Sequence, residues 1–261
     1  MDPLTIIGIV LGYGAIVTGV VLEGGDPLDM FFLPPMILVL GGSIGVALAG
    51  NTLSDAPHFA KDVLKASTAK VVKPNAQLDL IISLAEQARR EGLLGLEDAA
   101  SKLEDPFLKD AIELAIDGTD PEDLQEILFA RIEAKRTYDK VGAKFFADMG
   151  AYAPTLGIVG TVMGLVHVLN YLDKPETLGP LIAAAFLATL WGVMSANVLF
   201  LPTAARLKRL SDLEIANMEV VIEGVSAIQA GASPRVVARK LGALMPPGAV
   251  KADKADKAKA A

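Results

Sequence analysis

The sequence predicts an all-α, polytopic membrane protein with four transmembrane helices and a helical cytoplasmic domain. Three observations carry this. Of the 261 residues, 52% are apolar and only 21% are charged, and mean hydropathy is +0.45, above the range of ordinary soluble domains. The apolar residues collect in four runs rather than spreading evenly. Outside those runs, helix starts and stops recur and strand patterns are scarce.

The first run, Leu4 to Leu22, holds 19 residues without a charge, enough to cross a hydrocarbon core of about 30 Å. The preceding Met-Asp-Pro carries no Lys or Arg, and no small-residue cleavage site follows, so a retained span is expected rather than a signal peptide. The other spans are expected at residues 31–50, 151–172 and 180–201. Charge sets the orientation. The links after spans one and three hold no basic residue and one, respectively, whereas residues 51–150 hold 13 and the segment after span four holds 10. Basic loops stay in the cytoplasm. Both termini and the 51–150 segment are therefore expected in the cytoplasm.

In the 51–150 segment, Leu78, Ile81, Ile82 and Ala85 recur at helical spacing and Gly92 follows as a stop. Asp105-Pro106 and Asp120-Pro121 each read as a cap followed by the first helical residue, and Gly118 ends the helix between them. No strong stop lies between Leu124 and span three, which predicts one long helix into the membrane. The same is expected after span four through Ala230. A short amphipathic helix from Pro234 completes a C-terminal part at 203–247, and residues 248–261 read as a disordered tail.

Several function classes are excluded. There is no cysteine, hence no disulfide and no thiolate site. His58 and His167 lie in separate segments, against a His-rich metal site. Net charge is −7, without the basic footprint of a nucleic-acid binder. No catalytic set or phosphate loop is present, so neither an enzyme nor a cofactor site is expected.

The spans themselves contain no Asp, Glu, Lys or Arg. Intramembrane ion sites usually need an ionisable group, so this chain alone offers no carrier. His167, near the outer end of span three, reads as an interfacial histidine or a polar lining residue. Small residues mark spans three and four: Gly157, Gly160 and Gly164, then Ala185, Ala188, Gly192 and Ala196. Such faces serve close helix approach, within one chain or around a helix from elsewhere. Thr161 and Thr189 sit on these faces, each about 15 Å into its span from opposite ends. A threonine hydroxyl can simply bond its own i−4 carbonyl; two at one depth also fit a polar pathway. Pro154 and Pro202 lie near the cytoplasmic ends of the same spans, as tolerated bends or as hinges. Arg89 and Arg90 close one helix, and Glu97 and Asp98 open the next. Helix-dipole preference explains that order, and so does a charged face for a protein partner.

ARREGLLGLE at 88–97, YAPTLGIVGTVMGLVHVL at 152–169, LATLWGVMSANVLFLP at 187–202 and VIEGVSAIQAG at 221–231 resemble segments of the flagellar motor stator A subunits, the MotA/PomA family. The likeness runs to about Pro247. It implies a pentameric ring of this chain around paired helices of a B subunit that carries the ion-binding aspartate. It also implies a cytoplasmic part that pushes the rotor protein FliG. By the same resemblance Arg89, Arg90, Glu97 and Asp98 are rotor contacts, Pro154 and Pro202 are the functional prolines, and Thr189 lines the ion path. A threonine at 161 favours Na+ over H+ as the coupling ion. The related ExbB/TolQ group and a membrane scaffold without ion work are the alternatives.

Overall fold

The computed structural model describes residues 3–69 and 74–245. Every regular element among them is helical: α1 (Pro3–Leu22), α2 (Leu33–Ala49), α3 (Ala56–Thr68), α4 (Pro74–Glu91), α5 (Pro106–Ile116), α6 (Pro121–Leu169), α7 (Pro175–Gln229) and α8 (Pro234–Leu244), with short helical turns between. The expected tail at 248–261 lies outside the described residues. By length and composition, α1, α6 and α7 can each cross a membrane, and Leu33–Ala49 with Leu53–Thr68 qualifies as a pair bent by 119°. The chain divides into two compact units. One comprises Met1–Lys70 and Tyr138–Leu210, the other Val71–Thr137 and Ser211–Ala261.

In the first unit, α1 is apolar on every side, and none of its apolar window is buried in the chain, as a lipid-facing helix requires. Asp26 caps the turn that follows, accepting the Leu28 N–H at 2.8 Å. The helix of the second run begins at Leu33, not Phe31. Pro34 and Pro35 fill its first turn, and Phe32 before it is extended. Trp191 on α7 donates its indole N–H to the Met30 carbonyl at 2.7 Å, and Phe31 stands edge-on to the same ring. These contacts pin the first link to the fourth span. The helix of span three ends at Leu169, and α7 starts at Pro175, five residues before the fourth apolar run. Lys174-Pro175-Glu176 marks a helix start outside the lipid; the apolar run marks the membrane. The two edges differ because they obey different physics.

Two π turns interrupt the spans, Ile37–Gly41 in α2 and Ser195–Phe200 in α7. The second stops just short of Pro202. A proline ring crowds the carbonyl four residues earlier, and a widened turn carries that carbonyl away. Buried Ser43 and Ser195 give their hydroxyl protons to the carbonyls of Val39 at 2.5 Å and Trp191 at 2.6 Å, so neither is left unsatisfied.

In the second unit, Ile81, Leu96, Leu108, Ile112, Leu124 and Leu128 are fully or almost fully buried, with Val221, Val225, Val237 and Leu241 from the C-terminal helices. The expected starts hold. Asp105 accepts the N–H groups of Phe107 and Leu108 at 2.9 and 3.3 Å, and Asp120 accepts that of Glu122 at 3.0 Å. The stops hold as well: Gly92 and Gly118 have φ of +78° and +76°, where a side chain would be strained. The long helix from Pro121 into span three is continuous, and so is α7 through its π turn. Asp105 does a second task, taking the amide proton of buried Gln77 at 2.8 Å. Asp105→Ala should therefore cost about 1–2 kcal/mol of stability, the loss of a cap. Thermal unfolding in detergent, against the wild-type chain, reads that loss directly.

Candidate functional site

Spans three and four pack backbone to backbone. A side chain at Gly157 would lie 2.8 Å from the Ala188 carbonyl oxygen, and one at Gly192 only 2.6 Å from that of Ala153. Gly164 faces Ala185 as closely, and Gly160 meets Ala188 and Leu38 of α2. Partner numbers fall along α7 as they rise along α6, which is the antiparallel register. Any larger residue at these positions would push the helices apart, so the small-residue pattern is what allows the approach.

That approach brings the two threonines together. Thr161 Oγ1 and Thr189 Oγ1 lie 2.5 Å apart, within hydrogen-bond range. Thr161 Oγ1 is also 2.9 Å from the Ala185 carbonyl oxygen and 3.1 Å from that of Gly157. A hydroxyl has one proton, so Thr161 donates to a carbonyl while Thr189 donates to Thr161. Two hydroxyl oxygens and two carbonyl oxygens thus converge on one partly buried spot between apolar walls. Threonine spacing pointed to a shared depth. Each threonine's own i−4 carbonyl, Gly157 for Thr161 and Ala185 for Thr189, was legible from the spacing; that Thr161 also reaches the Ala185 carbonyl across the crossing was not, because the register of two small-residue helices has no side-chain code.

Pro154 lies inside α6, and its Cα would be 3.2 Å from a side chain at Gly192. Gly150, whose carbonyl loses its helical partner at Pro154, faces Leu201, the neighbour of Pro202. The two prolines therefore flank one helix crossing. His167 is exposed in the single chain, with its ring edge-on to Tyr171 at 5.0 Å.

The charged turn lies in the second unit. Arg89 and Arg90 end α4, Gly92 reverses the chain, and Glu97 and Asp98 open the next helical turn. All four charged side chains are exposed, and none forms an ion pair among the described residues. The turn beneath them is firmly held. Leu96 is fully buried, and the Gln87 side-chain amide bridges to the Gly95 carbonyl at 2.8 Å and to Glu91 at 3.1 Å. Glu86, Arg89, Arg90 and Pro234 also line a concave spot of about 410 Å³. Four exposed charges, unpaired among the described residues, thus stand on a firmly held turn and form a face that can meet complementary charges.

Comparison with known proteins agrees with this architecture. The model of the MotA/TolQ/ExbB proton channel family matches residues 99–220, and that of the motility protein A N-terminal region matches residues 6–92. Motility protein A of Bacillus subtilis is 34% identical over 244 residues, covering 92% of this chain and 90% of that protein. The solved structure of C. jejuni MotAB superposes with a TM-score of 0.92 at 30% identity, covering 97% of this chain and 100% of that one. The flagellar MotAB stator complex from Bacillus subtilis gives a TM-score of 0.88 at 32% identity, covering 94% and 97%. The match at residues 6–92 extends the likeness beyond the region matched by the MotA/TolQ/ExbB family. Matched by these relatives over nearly its whole length, the chain belongs to the motility protein A family of flagellar motor stator subunits.

Proposed function

We propose that this stator subunit works with a B subunit to pass a cation across the inner membrane, and that the Thr161–Thr189 pair lines the ion's path. The observation that carries the reading is the 2.5 Å hydroxyl contact at the span crossing. The spans hold no acid, so the titrating or ion-binding carboxylate comes from the B subunit. The solved relatives are complexes of MotA with MotB by name, which supports such a partner here. Several copies of this chain, five by the family resemblance, surround the B helices. Both termini lie in the cytoplasm. Positive charge on the long links supports this, as does Thr5, which lines the same cavity as Arg206 just beyond span four.

Arg89, Arg90, Glu97 and Asp98 form the contact to the rotor protein FliG; their exposure, without ion-pair partners among the described residues, supports that assignment. Pro154 and Pro202 are hinges at the helix crossing. The coupling ion is Na+ rather than H+. A sodium ion sheds water on entering the membrane and needs oxygens to replace it, and the two hydroxyls with the Gly157 and Ala185 carbonyls offer them.

Torque measured with sodium replaced by potassium at fixed pH tests the ion. Wild-type torque should collapse without sodium. Thr161→Ala should need about tenfold more sodium for half-maximal speed, the effect of losing one interaction of about 1.4 kcal/mol. Wild-type torque that ignores sodium would make the motor proton-driven.

A further inference from the structure

The small residues that let α6 and α7 approach set a distance more firmly than a register. Along α7, Ala184, Ala185, Ala188, Gly192 and Ala196 recur at short helical steps. A slip of one turn puts an alanine where Gly192 stands and otherwise lays small residues on small residues again. The close fit of Gly192 disfavours such a slip, but it supplies no directional bond. The threonine contact exists in one register alone. Thr161 Oγ1 and Thr189 Oγ1 are 2.5 Å apart, and one turn of slip would move one past the other by about 5.4 Å.

A directional contact lies on the other side of α7. Trp191 is buried and sits two residues from Thr189, about 200° around the helix. Its indole N–H donates to the Met30 carbonyl at 2.7 Å. A buried indole N–H without an acceptor is costly, and a slip of α7 either way carries this donor from its acceptor. The acceptor is itself held. Met30 is buried and ends the turn that begins at Pro27. Its carbonyl also accepts the Phe32 N–H at 3.1 Å, and the Phe31 ring stands edge-on to the indole at 5.8 Å. From Leu33 the chain continues as α2, which is seated on α6. A side chain at Gly160 would lie 2.6 Å from Leu38, and one at Gly42 would lie 3.1 Å from Leu156. The Trp191 bond therefore ties α7 to α6 a second time, through α2, and closes a triangle of helices with the threonine pair on one side.

We propose that Trp191 is a positioning residue for the ion path: its bond to the Met30 carbonyl holds α7 in the register that brings Thr189 to Thr161. Trp191 acts through Thr189, and its role in ion passage rests on the reading that the threonine pair lines the path. The first link, 160 residues away in sequence, thereby becomes part of what shapes that path.

The chain has no cysteine, so a disulfide can read the register. In Thr161→Cys with Thr189→Cys, in membranes that also hold the B subunit, oxidation should join the two thiols within one chain, because the hydroxyls they replace are 2.5 Å apart. Adding Trp191→Phe, which keeps an aromatic ring and loses the donor, should slow that joining about tenfold, the effect of one buried hydrogen bond. Adding Phe31→Leu, which keeps the donor, should not. Trp191 is the one tryptophan, so growth on 3-benzothienylalanine in place of tryptophan exchanges its N–H for sulfur at nearly constant shape. That exchange should slow the joining alike, even where Trp191→Phe assembles poorly. In the otherwise wild-type chain, Trp191→Phe should raise the sodium needed for half-maximal speed about tenfold, with speed at saturating sodium close to normal. Undiminished joining without the indole N–H would overturn the assignment whatever the torque does. So would slowed joining in Phe31→Leu, or a speed lowered equally at every sodium concentration, which marks a general loss of assembly. Slowed joining with an unchanged sodium requirement would uphold the register and overturn the threonine reading of the ion path.

Discussion

Gly192→Val should abolish motility in a strain whose only copy of this protein carries the change, and Gly192→Ala should already impair it. The cause is the absence of room. The first added carbon would stand 2.6 Å from the Ala153 carbonyl oxygen and 3.1–3.2 Å from the Cα atoms of Gly157 and Pro154. All three are backbone atoms, so no flexible side chain can swing aside. Overpacking of this kind costs about 1–3 kcal/mol even where neighbours can adjust. Here the helices must separate, and separation breaks the contact between Thr161 and Thr189. Gly14→Ala is the control, since a side chain there would meet nothing within 4 Å. Thermal unfolding in detergent should show a clear loss for Gly192→Ala and none for Gly14→Ala. Equal stability and normal swimming for both would mean that the close helix crossing is not required.

Arg90→Glu and Glu97→Lys should each cut swimming severely while leaving the protein's amount and membrane assembly unchanged. Both side chains are exposed and have no ion-pair partner among the described residues, and exposed charges contribute under about 1 kcal/mol to folding. A selective loss of torque therefore reports a partner surface. On the proposed reading that surface meets FliG, and an opposite-charge change there should partly restore swimming. Membrane fractionation and tethered-cell rotation together separate the two effects. Normal torque with both reversals, singly and combined, would leave these residues as a solvated turn.

Much of the fold could be read before any coordinates, for a physical reason. Helix caps such as Asp105 and Asp120, and stops such as Gly92 and Gly118, act within a few residues, so the local sequence contains the whole interaction. The charge-free runs are equally local. What could not be read depends on which residues meet across space. The start of α7 preceded its apolar run because a helix may begin in water before its lipid-facing stretch does, whereas α6 ended at Leu169, inside its run. The π turn before Pro202 arises from a steric conflict that the chain could also have resolved by a kink. The site shows the same division. Thr161 and Thr189 were legible as a pair at one depth, each with its own i−4 carbonyl, whereas their contact, and the reach of Thr161 to the Ala185 carbonyl, follow from a helix register fixed only by packing. The charged turn was visible as charges; that Leu96 and Gln87 hold it still was not.

The threonine pair also bears on electrical insulation. A bilayer keeps its voltage only where no continuous thread of water crosses it, and buried polar groups without partners attract such threads. Each elementary charge leaking down 100 mV dissipates about 2.3 kcal/mol. Because Thr189 can donate to Thr161 and Thr161 to a carbonyl at 2.9 Å, these hydroxyl protons need no water. The oxygens that could cradle a passing ion are thus satisfied by one another in its absence, so this level of the membrane can stay dry between ions and the subunit need not short-circuit the gradient that drives it.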